Sequence, residues 1–264
     1  MSISTLPEQA LLRPGFLTFG ACSGSGPTHV VGEDGEHSAF EGAVAQAVCR
    51  HLGLQPAWEI FEWDEMYPAL ADRRADAILY NQCITETRLQ KADFSRPYGV
   101  FHEAVMVRDD SPIHTPADLV GASVGGIETT TCLDVAFAFD GADVRVYKSG
   151  VASFEGMIED LREGRLDALV DDELYLAQYS AEGMRLAFAI QTANPYGIAV
   201  AKGSPLREAL NEALDALEAS GELQAIWAEA FPGTPFESQG RAEEPTIEKL
   251  RELVRDPANI RLLS

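Results

Sequence analysis

The chain has 264 residues, an apolar share of 46% and a formal charge of -22, with 42 Asp and Glu against 20 Lys and Arg. That length suits one large domain or two modest ones, and the apolar share is enough for a sizeable core. The acidity argues against nucleic acid and anionic membrane surfaces as partners, and the lack of any run of 18 apolar residues argues against a membrane span.

Residues 1–22 lack a basic start followed by a long apolar core, so they do not read as a secretory signal. The ending F-G-A-C at Cys22 looks like a lipoprotein cleavage site, but the apolar stretch before it is short and is broken by Pro14 and Gly15. A short helix over Pro7–Leu12 and a first strand over Phe16–Gly20 fit better. On this reading the protein is cytoplasmic if the N-terminus is native, or its export signal has been removed; the sequence leaves both open.

A Gly/Ser loop follows the strand, without the G-K-[ST] of a phosphate loop. Glu33-Asp34-Gly35-Glu36 reads as a hairpin tip. Phe40–Leu52 is a helix with Val44, Ala45, Val48 and Leu52 on one face and Gly53 as its C-cap. Ala57–Phe61 is a strand, Asp64 N-caps a helix through Ala71, and Asp76–Tyr80, with the apolar run Ala77–Tyr80, is the next strand. Thr85 then caps a helical turn carrying Arg88. This alternation implies an α/β fold with a parallel sheet.

Phe94–Val107 is a long extended segment that suits a connection from one lobe to another. A second α/β series begins at Pro116–Val120, a short helix. Strands are expected at Ala122–Gly125, Val144–Tyr147 and Leu166–Val170. Helices are expected at Thr129–Phe139, Val151–Glu163 and Leu174–Ser180. Leu186–Ile190 and Gly197–Ala201 are two further apolar segments, the second returning the chain to the first lobe. Pro205–Ser220 and Glu222–Phe231 are helices, the first with a stripe of Leu206, Leu210, Leu214 and Leu217. Ile247–Val254 is a final helix. The divisions are 1–106 for the first part of lobe 1, 107–195 for lobe 2, 196–232 for the return, and 233–264 for a C-terminal extension. Such a chain is two-lobed, with two hinge strands and a ligand cleft between the lobes.

Open α/β sheets place ligands at strand ends. Arg88 follows one strand end, and its guanidinium suits a bidentate carboxylate contact. Taken alone it reads as a surface arginine. Asp172 follows the strand Leu166–Val170 in the second series; taken alone it reads as a helix N-cap. Together, one fork and one carboxylate on opposing lobes suit a zwitterion such as an α-amino acid. The four cysteines, Cys22, Cys49, Cys83 and Cys132, show no C-x-x-C spacing, so neither a zinc site nor a redox pair is expected.

From Gly15 to Phe231 the sequence resembles the bacterial extracellular solute-binding proteins of family 3, the polar amino acid receptors of ABC importers. The resemblance rests on W-D-E-M-Y-P-A-L-A-D-R-R-A-D-A-I-L (63–79), I-T-E-T-R (84–88), A-D-F-S-R-P-Y (92–98), A-D-L-V-G-A-S-V-G, G-R-L-D-A-L-V-D-D and P-Y-G-I-A-V-A-K-G-S-P-L. It implies that Arg88 binds the ligand carboxylate, Asp172 the ammonium, and Trp63 stacks on the ligand side chain. It also implies that the Asn81 carbonyl and the group at Cys83 complete those contacts. By the same resemblance Thr130 and Thr131 would supply donors at a helix N-terminus, and Asp171 would sit beside the ligand and tune specificity. A monomeric receptor, working with an ABC permease in the periplasm or outside the cell, is the implied setting.

The sequence departs from the family at three places. C-S-G-S-G-P-T-H stands where an aromatic wall is usual, Asn81-Gln82-Cys83 replaces a Gly-Met-Ser/Thr type turn, and Thr129-Thr130-Thr131-Cys132 replaces a Gly-Thr-Thr-Gly type turn. On this alignment Cys22, Cys83 and Cys132 fall near one cleft. Three thiols there suit a soft metal or a nucleophile, but no feature lowers a thiol pKa. The expectation is therefore substitution without a chemical role, and no metal or cofactor. Cyclohexadienyl dehydratases resemble the same family, so the alternative is an enzyme using Asp171, Glu173 or a cysteine. The retained Arg and Asp anchors favour a receptor. A cytoplasmic amino acid sensor or carrier acting through 233–264 is the third reading.

Overall fold

The computed structural model describes residues 10–22, 28–32, 35–180 and 183–263. In chain order the strands and α-helices are β1 (Phe16–Ala21), β2 (Val30–Val31), β3 (His37–Ser38), α1 (Ala39–Leu52), β4 (Gln55–Ile60), α2 (Met66–Ala71), β5 (Ala77–Ile78), α3 (Glu86–Lys91) and β6 (Asp93–Arg108). They continue with β7 (Ser123–Ile127), α4 (Thr131–Ala138), β8 (Asp143–Tyr147), α5 (Val151–Arg162), β9 (Ala168–Asp172), α6 (Glu173–Leu176), β10 (Met184–Val200), α7 (Leu206–Ser220), α8 (Glu222–Ala230), α9 (Ile247–Arg255) and β11 (Ile260–Leu262). Two compact units divide the chain: Met1–Val100 with Pro195–Gly240, and Phe101–Asn194 with Arg241–Ser264. β6 and β10 are the strands along which the chain passes from one unit to the other.

In the first unit β1 pairs in parallel with β4, from Phe16↔Gln55 to Ala21↔Ile60, and with β5 at Phe19↔Ala77. β10 lies antiparallel to β5 at Ala199↔Ile78. α1 buries Phe40, Val44, Ala45, Val48 and Leu52, the stripe that a 3.6-residue period puts on one face. Gly53 ends it in the left-handed region at φ 68, where a side chain would clash. α7 buries its four leucines against α1 and α8, each contributing about 1.5–3 kcal/mol.

In the second unit β7 pairs in parallel with β8 and β9, and β6 runs antiparallel to β9 from Glu103↔Asp172 to Val107↔Ala168. Strand alternation splits the core in two. Val105, Val107, Ala168 and Val170 pack with α4 and with Leu250 and Val254 of α9. Ala104, Met106 and Leu169 pack with Phe154, Met157, Ile158 and Leu161 of α5. β11 adds to β10 at Ala189↔Arg261. Residues 247–262 are thus built into this unit.

The structure departs from several sequence expectations, while the expected hairpin is kept. Of the expected helix Pro7–Leu12, residues 7–9 lie outside the described residues, and 10–12 are bends. Glu33 and Asp34 of the expected tip also lie outside them, while β2 and β3 on either side pair as an antiparallel hairpin. Asp64 does not cap a helix. A 3₁₀ turn over Trp63–Glu65 precedes α2, and Glu62 and Glu65 satisfy each other's backbone donors reciprocally. Finally, Leu186–Ile190 and all of Gly197–Ala201 except Ala201 belong to one strand, β10. Asn194-Pro195 looks like punctuation, but the irregularity is absorbed locally. Ala193 takes φ 50 and donates its N–H to His102 Nδ1 at 3.1 Å, and Asn194 donates to Glu103 at 2.5 Å.

Candidate functional site

The first unit gathers Trp63, Asn81, Cys83 and Arg88 around the turn that leaves β5. Thr85 caps α3, its hydroxyl accepting the Arg88 N–H at 3.2 Å. The cap starts the helix at a fixed point and so fixes where the Arg88 side chain leaves it. Arg88 is only 8% exposed, which removes the reading of a surface arginine. Its guanidinium donates to the Cys83 carbonyl at 3.0 Å and lies 5.4 Å from the Trp63 ring centre, a cation–π separation. Trp63 also meets Tyr80 edge-on at 6.4 Å.

Asn81 sits in the left-handed region at φ 48, a conformation that asparagine tolerates better than most residues. Its N–H donates to the buried Glu41 carboxylate at 2.7 Å. Gln82 is buried; its amide donates to the Tyr80 carbonyl at 2.7 Å, and Tyr67 donates to its side-chain oxygen at 2.5 Å. The far end of the turn is tied to β10, with Gly197 N–H on the Gln82 carbonyl at 3.1 Å and Ile84 N–H on the Pro195 carbonyl at 2.8 Å. The turn 81–83 is thus clamped through the Asn81 N–H, the Gln82 carbonyl and the Ile84 N–H.

The second unit holds Thr130, Thr131, Asp171 and Asp172. Thr130 N-caps α4: its hydroxyl accepts the Leu133 N–H at 3.2 Å and donates to the Ile127 carbonyl at 2.7 Å. Thr131 is the first residue of α4, whose first-turn N–H groups point towards its N-terminal end. Thr129, just before, takes φ 66. Asp172 is buried at the end of β9 and occupies the N-cap position of α6 without making a side-chain cap bond. Its N–H donates to the Asp171 carboxylate at 2.8 Å. Burial first, and then the neighbouring Glu103 carboxylate, push Asp171 up to about 7 against the opposing pull of that N–H. Glu103 is fully buried and accepts from Thr192 and Asn194.

Cys22, Cys49, Cys83 and Cys132 are all buried free thiols. Burial, with help from Glu62 and Asp64, pushes the Cys22 thiol up to about 12. At neutral pH the free thiol is therefore held protonated. Among the described residues no group of three or more His, Cys, Asp or Glu side chains is placed to hold a metal ion.

The sequence reading did not single out Glu41, Tyr67 or Glu103. Glu41 carried a signal: a carboxylate between Phe40 and Val44, on the apolar stripe of α1. Glu103 carried the same signal inside the apolar run of β6. Nothing marked Tyr67.

Residues 17–233 match the family model of bacterial extracellular solute-binding proteins, family 3. The chain is 29% identical over 237 residues to the L-cystine-binding protein TcyJ of Escherichia coli (strain K12), covering 86% of this chain and 88% of that protein. An ancestral arginine-binding protein bound to arginine superposes with a TM-score of 0.73 at 29% identity, over 82% of this chain and 98% of the other. An ancestral amino acid-binding protein described as a precursor of cyclohexadienyl dehydratase gives 0.72 at 25% identity, over 82% and 95%. Among the described residues no helix is long and apolar enough to cross a membrane. The family match spans most of the chain and includes the elements that carry Arg88 and Asp172: the chain belongs to the bacterial extracellular solute-binding proteins, family 3.

Proposed function

We propose that this protein is the receptor for a small α-amino-acid-like solute, a monomer that works outside the cytoplasmic membrane and delivers its ligand to an ABC permease. The family match carries the proposal, and a buried Arg88 fixed by a helix cap and a backbone carbonyl supports it. Arg88 takes the ligand carboxylate as a charge-assisted fork. Asp172 takes the ammonium. The Trp63 ring packs on the ligand side chain, while the Asn81 carbonyl and the group at Cys83 complete the polar contacts. Thr130 and Thr131 add donors at the start of α4. Asp171 lies beside the ammonium and tunes specificity, favouring a polar or basic side chain. In this reading the protein is not an enzyme.

Calorimetry with the twenty L-amino acids and L-cystine tests the reading. At least one should bind, and Arg88→Ala should weaken it about 100-fold, within the range for truncating one partner of a buried charged hydrogen bond. No heat from any of them, and no change on Arg88→Ala, would sink the receptor reading. The enzyme reading predicts instead turnover of prephenate or arogenate that disappears in a folded Asp172→Ala variant.

A further inference from the structure

Glu41 is at once fully buried and tied to the turn 81–83, and the contacts that define it lie within the first unit. It stands in the first turn of α1. One carboxylate oxygen accepts the Asn81 N–H at 2.7 Å and the Tyr98 hydroxyl at 2.5 Å. Among the described residues the other oxygen has no hydrogen-bond partner; it faces His29 Nδ1 at 3.9 Å, which is likewise buried without one among them. His29 is held from its other side: Nε2 meets His37 Nδ1 at 2.8 Å. Its ring lies against Trp58 and Tyr80, and Trp58 stacks on His37 with centroids 4.2 Å apart.

Burying a carboxylate completely is costly unless it is used. The position of Glu41 is itself enforced. Ala39 enters α1 at φ 63, and the helix approaches β3 so closely that a Cβ on Gly42 would stand 2.5 Å from the His37 carbonyl oxygen. The helix therefore presents Glu41 at one place, under Asn81. Asn81 in turn takes a left-handed conformation that asparagine adopts more readily than other side-chain-bearing residues, but that its surroundings must still select over the extended and right-handed regions. A carboxylate acceptor on its N–H makes that selection.

We propose that Glu41 is a positioning residue: its buried carboxylate holds Asn81 left-handed and thereby sets the turn Asn81-Gln82-Cys83 for the ligand. This rests on the receptor reading for the use of the turn, but not for the hold itself. The groups facing Glu41 are His29 from the segment before β2, Tyr98 from β6 and Asn81 from the turn after β5, with His37 of β3 behind His29. Burial, opposed by the Tyr98 and Asn81 hydrogen bonds, pushes Glu41 up to about 7. Burial followed by His37 pulls His29 down to about 3. Near neutral pH the charge that changes in this cluster is therefore the Glu41 carboxylate, and its ionisation strengthens the bond to Asn81 N–H.

The test uses ¹⁵N-labelled full chain without ligand, as wild type, Glu41→Gln, Glu41→Asp and Glu41→Ala. The Asn81 amide resonance should titrate with a midpoint near 7 in the wild type and be flat in Glu41→Gln, whose side-chain oxygen still accepts. Asn81 amide exchange should accelerate about 100-fold in Glu41→Ala and much less in Glu41→Gln. Titration with L-arginine, L-histidine and L-cystine should show affinity falling about tenfold or more in Glu41→Ala, with rescue in Glu41→Gln to within about threefold. If Glu41→Ala does not fold, Glu41→Asp, which withdraws the oxygen by one methylene, should show the same changes at reduced size. An Asn81 amide indifferent to every substitution overturns the hold. Faster exchange with unchanged affinity overturns the positioning role. Should the wild type bind none of the three probes, the Asn81 amide still decides the hold while the receptor reading fails separately for those ligands.

Discussion

Arg88 and Asp171 show how one unit can pre-set a charge and the other a proton. Arg88 is fixed by three contacts it does not choose: the Thr85 cap, the Cys83 carbonyl and the Trp63 ring. Asp171 is different, because its neighbours make ionisation harder. Its pKa rises from 3.8 to about 7 through burial and then Glu103. A raised folded pKa means stability that is fully present below the unfolded value and is lost as pH climbs through about 7. A ligand ammonium placed beside Asp171 reverses the balance by favouring the carboxylate. Binding should therefore release a proton near pH 6.5, and affinity should rise as pH climbs towards 7 and level off above it. Calorimetry in buffers of different ionisation enthalpy reads the released proton directly, and Asp171→Asn should abolish it. A wild type that releases nothing near pH 6.5 places Asp171 away from the ammonium.

The residue scale is also where the sequence was least complete. Arg88 and Asp172 stood out in the sequence because they lie at or just after strand ends, a feature of local order. The Glu41 carboxylate became informative only through Asn81 and Tyr98, which lie 40 and 57 residues away along the chain.

Helices carried most of the legible signal at the scale of elements. The stripes of α1, α5 and α7 bury the residues their spacing nominates. Two glycines in those helices separate close approach from open space. In α1 a Cβ on Gly42 would meet the His37 backbone at 2.5 Å, which cannot swing aside; in α5 a Cβ on Gly156 would meet nothing within 4 Å. Gly42→Ala should lose about 1–3 kcal/mol by overpacking. Gly156→Ala should gain about 0.5–1 kcal/mol by helix propensity. Urea unfolding of the two variants beside the wild type gives both values, and equal effects would contradict the difference in packing. The 3₁₀ turn before α2 and the unbroken β10 were not legible. Glu62–Glu65 and Ala193–Asn194 are irregularities stabilised by specific hydrogen bonds rather than by periodicity.

For the molecule as a whole, the sequence set the last thirty residues apart, because their composition turns to charge and turn signals after Gly233. Arg241 onwards instead completes the second unit. Leu250 and Val254 lie in its core beside Phe139 and Phe188, Arg241 donates to the Thr192 and Ala193 carbonyls, and Arg255 forks onto Asp140 at 2.7 and 2.8 Å. Deleting 241–264 should cost the second unit about 3–6 kcal/mol from the two buried side chains alone. Hydrogen exchange should show faster opening of β7 and α4 while β1 and α1 keep their protection. Intact protection of α4 after the deletion would instead leave this segment free for a partner.

The sequence by itself determined most strands and helices and the family, and it nominated Arg88 and Asp172 as a pair of opposite charges at strand ends. Apolar period, helix caps and strand-end chemistry are written within a few residues of where they act. The tertiary structure alone decided what holds the turn 81–83, why Arg88 is buried, and that the C-terminal segment belongs to the second core. Each depends on groups distant in sequence meeting in a low-dielectric interior, where a single unpaired polar atom matters more than any local preference.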